Sequence, residues 1–330
     1  MRAIPVAAIL LVTVSMPATS NDTLVTLAAG GLVPVKSAQI VMESEDLEIS
    51  IHKVTVTYRF RNESDHDVVA VVAFPLPALN GGDLENVPMR LPSKDPVNFM
   101  DFRVTEGDKA IAPMVEIRAF QENRDVTGRV KSSGLPVSVA DKSMEGALQR
   151  IQAQQRASLV KDELVWCDDE RGAKQRCAAM WETRIQYYWT QRFPARSTIT
   201  LRQSYQPVVG GSYLVASMQA PSTKEEHCVG KPDLLRIAEF KKRHPVKSQD
   251  DFVLWENRIQ YILTTGNNWS GPIRNFHLAV TTESAEDLLM TCEPGLKQTS
   301  PMRYEMTRAN YSPPKDLDLL ILTGKNYVHQ

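Results

Sequence analysis

The groups in this chain that could form bonds, hold a metal or move a proton include four cysteines (Cys167, Cys177, Cys228 and Cys292), six histidines and 39 carboxylate side chains. Four thiols permit three pairings. The stretch WCDDERGAKQRCAAMW, from Trp166 to Trp181, is a charged, Gly-containing loop between two Trp-bearing flanks, where a short staple fits. The favoured pairing is therefore Cys167 with Cys177 and Cys228 with Cys292, contributing about 3 and about 4 kcal/mol on a chain-entropy estimate. The competing use of these thiols is zinc, with His227 beside Cys228. Zinc sites repeat their ligands at close spacing. This chain has no C-x-x-C, and His52, His66, His227, His244, His277 and His329 include no i, i+4 pair and no H-E-x-x-H, so neither a metal nor another cofactor is expected.

Nucleophile motifs are scarce. No G-x-S-x-G occurs, and GGSYL at 210–214 lacks the spacing of a nucleophile elbow. S-x-x-K occurs at Ser50 and Lys53, Ser158 and Lys161, and Ser312 and Lys315, without the S-D-N or K-T-G elements of acyl-transfer sites. No catalytic residue is assigned. The carboxylate runs EDLE (45–48) and DDE (168–170) could act on a glycosidic bond only if the fold set two acids face to face; otherwise they are solvated loop charge. The loop TTGNNWSGPI (264–273) offers Asn267, Asn268 and Trp269 between glycines, a tip able to stack on a sugar or anchor a partner. The same letters describe a turn whose Trp folds back over its own strands.

The chain opens MRAIPVAAILLVTVSMPATS, with Arg2, an apolar run from Ile4 to Val14, and small residues at Ala18 and Ser20. This is the pattern of a secretory signal, residues 1–20, cleaved after Ser20. It leads to an oxidising compartment where disulfides persist. No run after Ser20 is long enough for a membrane helix, so no transmembrane segment is expected in the mature chain. Losing Arg2 takes Lys plus Arg from 38 to 37 against 39 acids, a formal charge of −2. That balance implies no nucleic-acid partner.

The elements are mostly strands. In VTVTYRFRNESDHDVVAVVAFPLP (54–77), Val54, Val56, Tyr58 and Phe60 alternate with Thr55, Thr57, Arg59 and Arg61, and a polar turn then leads to a β-branched run closed by prolines. A hairpin is expected, its second strand covered on both faces. Further strands are read at 97–104, 114–120, 182–193, 197–205, 252–263, 273–280, 303–308 and 317–322, with helices at about 144–163 and 232–243 and a capped helical turn at SAED, 284–287. The fold class is mainly β: sandwich-like antiparallel sheets with one or two inserted helices. The division expected is a sandwich domain over 21–215 carrying the helical insertion and a β-rich domain over 216–330, separate or packed as one unit. Trp181-Glu-Thr-Arg-Ile-Gln-Tyr187 and Trp255-Glu-Asn-Arg-Ile-Gln-Tyr261 differ at a single position. This is either a duplicated hairpin or two strands of like alternation.

With the strand–turn–strand ending in Phe-Pro-Leu-Pro, then FRVTEGDKAI, then FPARSTITLRQSYQP, residues 48–210 resemble the inter-alpha-trypsin-inhibitor N-terminal β-sandwich domain. Proteins with that domain usually continue into a von Willebrand type A domain with a D-x-S-x-S metal site; here DKSME (141–145) fails at its last position, so that metal chemistry does not carry over. The blocks at 21–50, 72–77, 193–211 and 261–280 are similar to a family of secreted bacterial proteins, domain of unknown function 4424. This resemblance implies an exported protein and no particular activity. The features together describe an exported envelope protein, periplasmic or secreted, acting as a non-catalytic binding or assembly module for an envelope protein or glycan. The alternative is an exported hydrolase, for example on glycans, with a carboxylate-based site.

Overall fold

Strand alternation decides the core. In Val54–Asn62 the side chains of Val54, Val56, Tyr58 and Phe60 are fully buried, while Arg59 and Arg61 on the opposite face are exposed. The computed structural model describes residues 23–28, 31–84, 95, 98–168, 175–207, 209–213, 225, 227–243 and 254–324. The expected signal segment (1–20), the expected domain boundary at 215/216 and Pro245 lie outside the described residues.

The largest sheet has eight strands, in the order Lys297–Ser300, Arg303–Tyr311, Ile273–Thr281, Ile40–Ile49, Val54–Asn62, Thr198–Tyr205, Arg103–Glu106 and Lys109–Ile111. All its pairings are antiparallel except Ile273–Thr281 beside Ile40–Ile49, which joins an early and a late part of the chain in parallel. A seven-stranded sheet is built around Glu182–Phe193, flanked by Val68–Pro75 and Met114–Gln121. A four-stranded sheet runs Gly210–Tyr213, Trp255–Tyr261, Leu317–Thr323 and Leu288–Thr291. One face of the eight-stranded sheet meets both smaller sheets. Tyr58 reaches Tyr261 of the four-stranded sheet, hydroxyl to hydroxyl at 3.0 Å, and Phe60 packs edge-on against Phe193 of the seven-stranded sheet. The architecture is thus mainly β, large antiparallel sheets with a few helices.

The expected hairpin at 54–77 does not form. Val54–Asn62 belongs to the eight-stranded sheet and Val68–Pro75 to the seven-stranded one, so NESDHD carries the chain across the sandwich as an arch. The cause is Asn62, fully buried, which donates from Nδ2 to the carbonyls of His66 (2.8 Å) and Phe193 (2.9 Å) and accepts at Oδ1 from the Ser64 amide. These bonds satisfy the arch and tie it to a second crossing at 193–198, where the Ala195 amide donates to Asp67. Nor is the second strand covered on both faces, since Val69 is 64% exposed.

The helix expected at 144–163 is two helices, Met144–Arg150 and Ala153–Lys161, because Ile151 and Gln152 are extended. The Arg156 guanidinium bonds the carbonyls of Leu148, Gln149 and Ile151, which the break leaves without intrahelical partners. The second helix spans Lys231–Arg243 and lays Ile237 and Phe240 on the four-stranded sheet, against Leu288, Met290, Leu320 and Leu322. The strand expected at 97–104 shortens to Arg103–Glu106, because Asn98 closes a loop by bonding both the amide and the carbonyl of Phe102. SAED forms a turn and no helix; Asp287 takes the amides of Glu283 and Ser284 for itself.

The repeated W-E-x-R-I-Q-Y segments open strands of the two smaller sheets, and each strand then crosses into the eight-stranded sheet, to Thr198–Tyr205 and Ile273–Thr281 respectively. Neither makes a hairpin with its successor. Both keep a Glu–Arg pair on one strand face, Glu182 with Arg184 and Glu256 with Arg258, and both end on a buried tyrosine, Tyr187 and Tyr261.

Candidate functional site

The EDLE run is split by the strand that carries it. Side chains of successive residues point to opposite faces, so Glu45 enters the core while Asp46 and Glu48 face solvent. Glu45 lies directly across from Tyr58 in the next strand and accepts a 3.3 Å hydrogen bond from Tyr261, whose hydroxyl also meets Tyr58. Burial, reinforced by Tyr58 and Glu45, holds the Tyr261 phenol well above its ordinary range. On the outer face the acids meet bases: Asp46 with His277 at 2.6 Å, Glu48 with Arg303 at 3.4 Å, and Glu43 with Arg59 and Arg61 at 3.6 and 3.9 Å. The hydrogen bond from Arg303 holds Glu305 below the usual carboxylate range. Asp168 of the DDE run pairs with Arg176, and residues 169–170 lie outside the described residues. Ser50 and Lys53 form a turn in which the Lys53 amide donates to Ser50 Oγ, and Ser158 Oγ accepts from Arg129.

Of the two readings of the loop TTGNNWSGPI, the positions of its side chains match the turn whose Trp folds back. Trp269 is 3% exposed, with its ring centroid 4.3 Å from that of Phe60 and 6.1 Å from that of Phe193, so it plugs the end of the core. Asn267 donates to the Pro313 carbonyl and Asn268 to Thr23 Oγ1, which fixes the loop against two other segments. Asn267, Asn268 and Trp269 are thus positioned as structural groups. Their amphipathic composition suits a surface tip and a core plug equally well, and only the neighbouring aromatics distinguish the two.

The cysteines are bonded Cys167 to Cys177 and Cys228 to Cys292, with Cα separations of 4.1 and 4.9 Å. Beside the second bridge lies a cavity of about 200 Å³. It sits where the start of helix Lys231–Arg243 and the strand Leu288–Thr291 approach the edge of the eight-stranded sheet. Leu289, Met290 and Leu296 give it apolar lining, while Asp233, Arg236 and Glu293 contribute charge. Two further lining residues stand out. Tyr304 is 8% exposed and its hydroxyl has no hydrogen-bond partner; His227 is 5% exposed and neither ring nitrogen has a partner of bonding geometry. Burial, with the nearby Arg258 guanidinium, pushes the His227 imidazole down to about 4, the Asp318 backbone acting weakly the other way. His227 is neutral at physiological pH, with one ring nitrogen a donor and the other an acceptor. Buried polar groups are ordinarily paired, and unpaired ones call for an explanation. His227 was visible in the sequence only as a neighbour of Cys228; nothing in RYEMTR distinguishes Tyr304. Among the described residues, no group of three or more His, Cys, Asp or Glu is arranged to hold a metal ion.

Fold and cavity together define a mainly β, disulfide-bonded protein with a small, partly polar pocket at the junction of two sheets. The chain belongs to the family described as Domain of unknown function (DUF4424), which matches residues 20–320. No curated protein matches it in sequence. Among solved structures it is similar to a protein of Legionella pneumophila subsp. pneumophila described, provisionally, as nutrient binding. The likeness covers 94% of this chain and 73% of that one, at 15% identity and a TM-score of 0.45.

Proposed function

We propose that this protein is an exported, non-catalytic binding module of the bacterial envelope, and that the cavity beside Cys228–Cys292 holds its ligand. The observation that carries this reading is the buried Tyr304 hydroxyl without a partner, beside a buried His227 that is only weakly held by the Asp318 backbone, at one cavity. A buried donor or acceptor without a partner costs roughly 1–3 kcal/mol, and a ligand that supplies the missing bond recovers it. The EDLE run does not supply the facing acids that a glycan hydrolase would need, because Glu45 and Asp46 face away from each other and Asp46 is committed to His277.

Native mass spectrometry of the mature protein, after exposure to a small-molecule extract of a bacterial envelope, tests the reading. Wild type should retain a non-covalent adduct that leaves chemically unchanged, and Gln298→Trp, which places a large ring at the cavity, should not. Conversion of an extract component to product, or equal retention by the variant, would contradict it. Export is checked separately: protein recovered from the periplasm should begin at Asn21, and an intact Met1–Ser20 would count against the signal.

A further inference from the structure

We infer that the cavity takes a neutral, polyhydroxylated ligand of about the size of a single sugar ring. This rests on the binding-module reading and names its ligand class. Size sets the first limit. At about 200 Å³ the cavity lies below the roughly 300–1,000 Å³ of sites for drug-sized ligands, which suits a ligand of about one ring.

Charge sets the second. Asp233 is paired with Arg236 at 3.6 Å and accepts a hydrogen bond from the Gly230 amide at its other oxygen, and Glu293 faces Arg308 at 4.0 Å. Each acid at the cavity is thus matched by a base, and an entering anion or cation would have to displace a partner already in place. A neutral ligand meets no such competition. Hydrogen-bond type sets the third limit. The neutral His227 ring offers one donor and one acceptor, and the Tyr304 hydroxyl both donates and accepts. Sugar hydroxyls have the same dual character, whereas a carboxylate only accepts and an ammonium only donates. The apolar side chains of Leu289, Met290 and Leu296 suit the C–H face of a ring.

The ring nitrogens of His227 and the hydroxyl of Tyr304 are covered, so both rings must turn toward the cavity when a ligand enters. Binding should therefore perturb the side-chain NMR signals of these two residues more than those of Tyr58 or Tyr261, which are held to each other.

The test is saturation-transfer NMR on the mature, disulfide-bonded protein with glucose, galactose and N-acetylglucosamine as neutral probes and glutamate and lysine as charged ones, repeated with Tyr304→Phe. At least one neutral sugar should bind, and Tyr304→Phe should weaken it tenfold or more with no fall in the unfolding midpoint. If only a charged probe binds in a Tyr304-dependent way, the ligand class is wrong and the cavity survives as a binding site. If no probe depends on Tyr304, the ligand class is overturned; the extract experiment with Gln298→Trp then decides separately whether the module reading falls with it.

Discussion

Two regions of this molecule bury polar side chains, and they do so differently. Where the eight- and four-stranded sheets meet, Tyr58, Tyr261 and Glu45 are fully buried and joined to one another, Tyr58 and Tyr261 at 3.0 Å and Tyr261 and Glu45 at 3.3 Å. Beside Cys228–Cys292, His227 and Tyr304 are buried almost as deeply, yet the Tyr304 hydroxyl has no partner and His227 is approached by the Asp318 backbone without good bonding geometry. The first arrangement is complete without a ligand and fixes the register of two sheets. The second leaves a buried hydroxyl unsatisfied. On the function proposed above, the difference separates polar groups kept for structure from those kept for recognition, although the residue types overlap.

The largest effects should fall on the completed core beside the tyrosine pair. Phe60 stacks on Tyr58 and packs against Trp269 and the edge of Phe193, so Phe60→Ala should cost roughly 3–5 kcal/mol, against under about 1 kcal/mol for Thr57→Ala on the opposite face. Denaturant unfolding of both beside wild type reads this directly, and equal midpoints would show the inward face to be misassigned. Next comes the arch. Asn62→Ala removes a buried amide and strands the carbonyls of His66 and Phe193, an expected loss of about 2–3 kcal/mol in the same assay; a loss within about 0.5 kcal/mol would mean that the arch is held by other means.

Effects that depend on pH should appear on the cavity side of the molecule. Burial raises the Asp287 carboxyl to about 6, so the folded state binds its proton more tightly than the unfolded chain, where the value is 3.8. Its contribution to stability therefore grows as pH falls from about 6 to about 4. His227 has the opposite sign: its folded value of about 4 lies below the ordinary 6.5, and its contribution is lost as pH falls between them. Subtracting the unfolding profile of Asp287→Asn from that of wild type should leave a curve rising on acidification, and subtracting that of His227→Gln one that falls. Curves of the same sign would mean that one environment is wrongly assigned.

Much of the frame was legible in the residues. Alternation placed Glu182–Phe193 and Ile273–Thr281 within a residue of their ends, because period-two burial is a local property. Which sheet a strand joins is not local. The polar turn after Asn62 reads as a hairpin until the second crossing at Phe193, 131 residues away, is found to accept its amide. The break at Ile151 was hidden for a similar reason, since the group that caps it is a side chain one turn into the following helix. At the candidate site only the cysteines and His227 carried any sequence signal. Tyr304 acquires its meaning from having no partner, which no spacing of letters can encode.

The central claim, that the Tyr58–Tyr261–Glu45 knot serves stability and the His227–Tyr304 cavity serves recognition, is tested most directly by the unfolding free energies of Tyr261→Phe and Tyr304→Phe measured side by side. Both changes delete one buried hydroxyl and leave the ring in place. Tyr261→Phe removes a bond to Glu45 and one to Tyr58 and should lower stability by about 1–3 kcal/mol, whereas Tyr304→Phe removes a hydroxyl with no partner and should leave stability within about 0.5 kcal/mol of wild type or raise it. A loss in Tyr304→Phe as large as that in Tyr261→Phe would contradict the account, because it would mean that the Tyr304 hydroxyl is already satisfied within the fold.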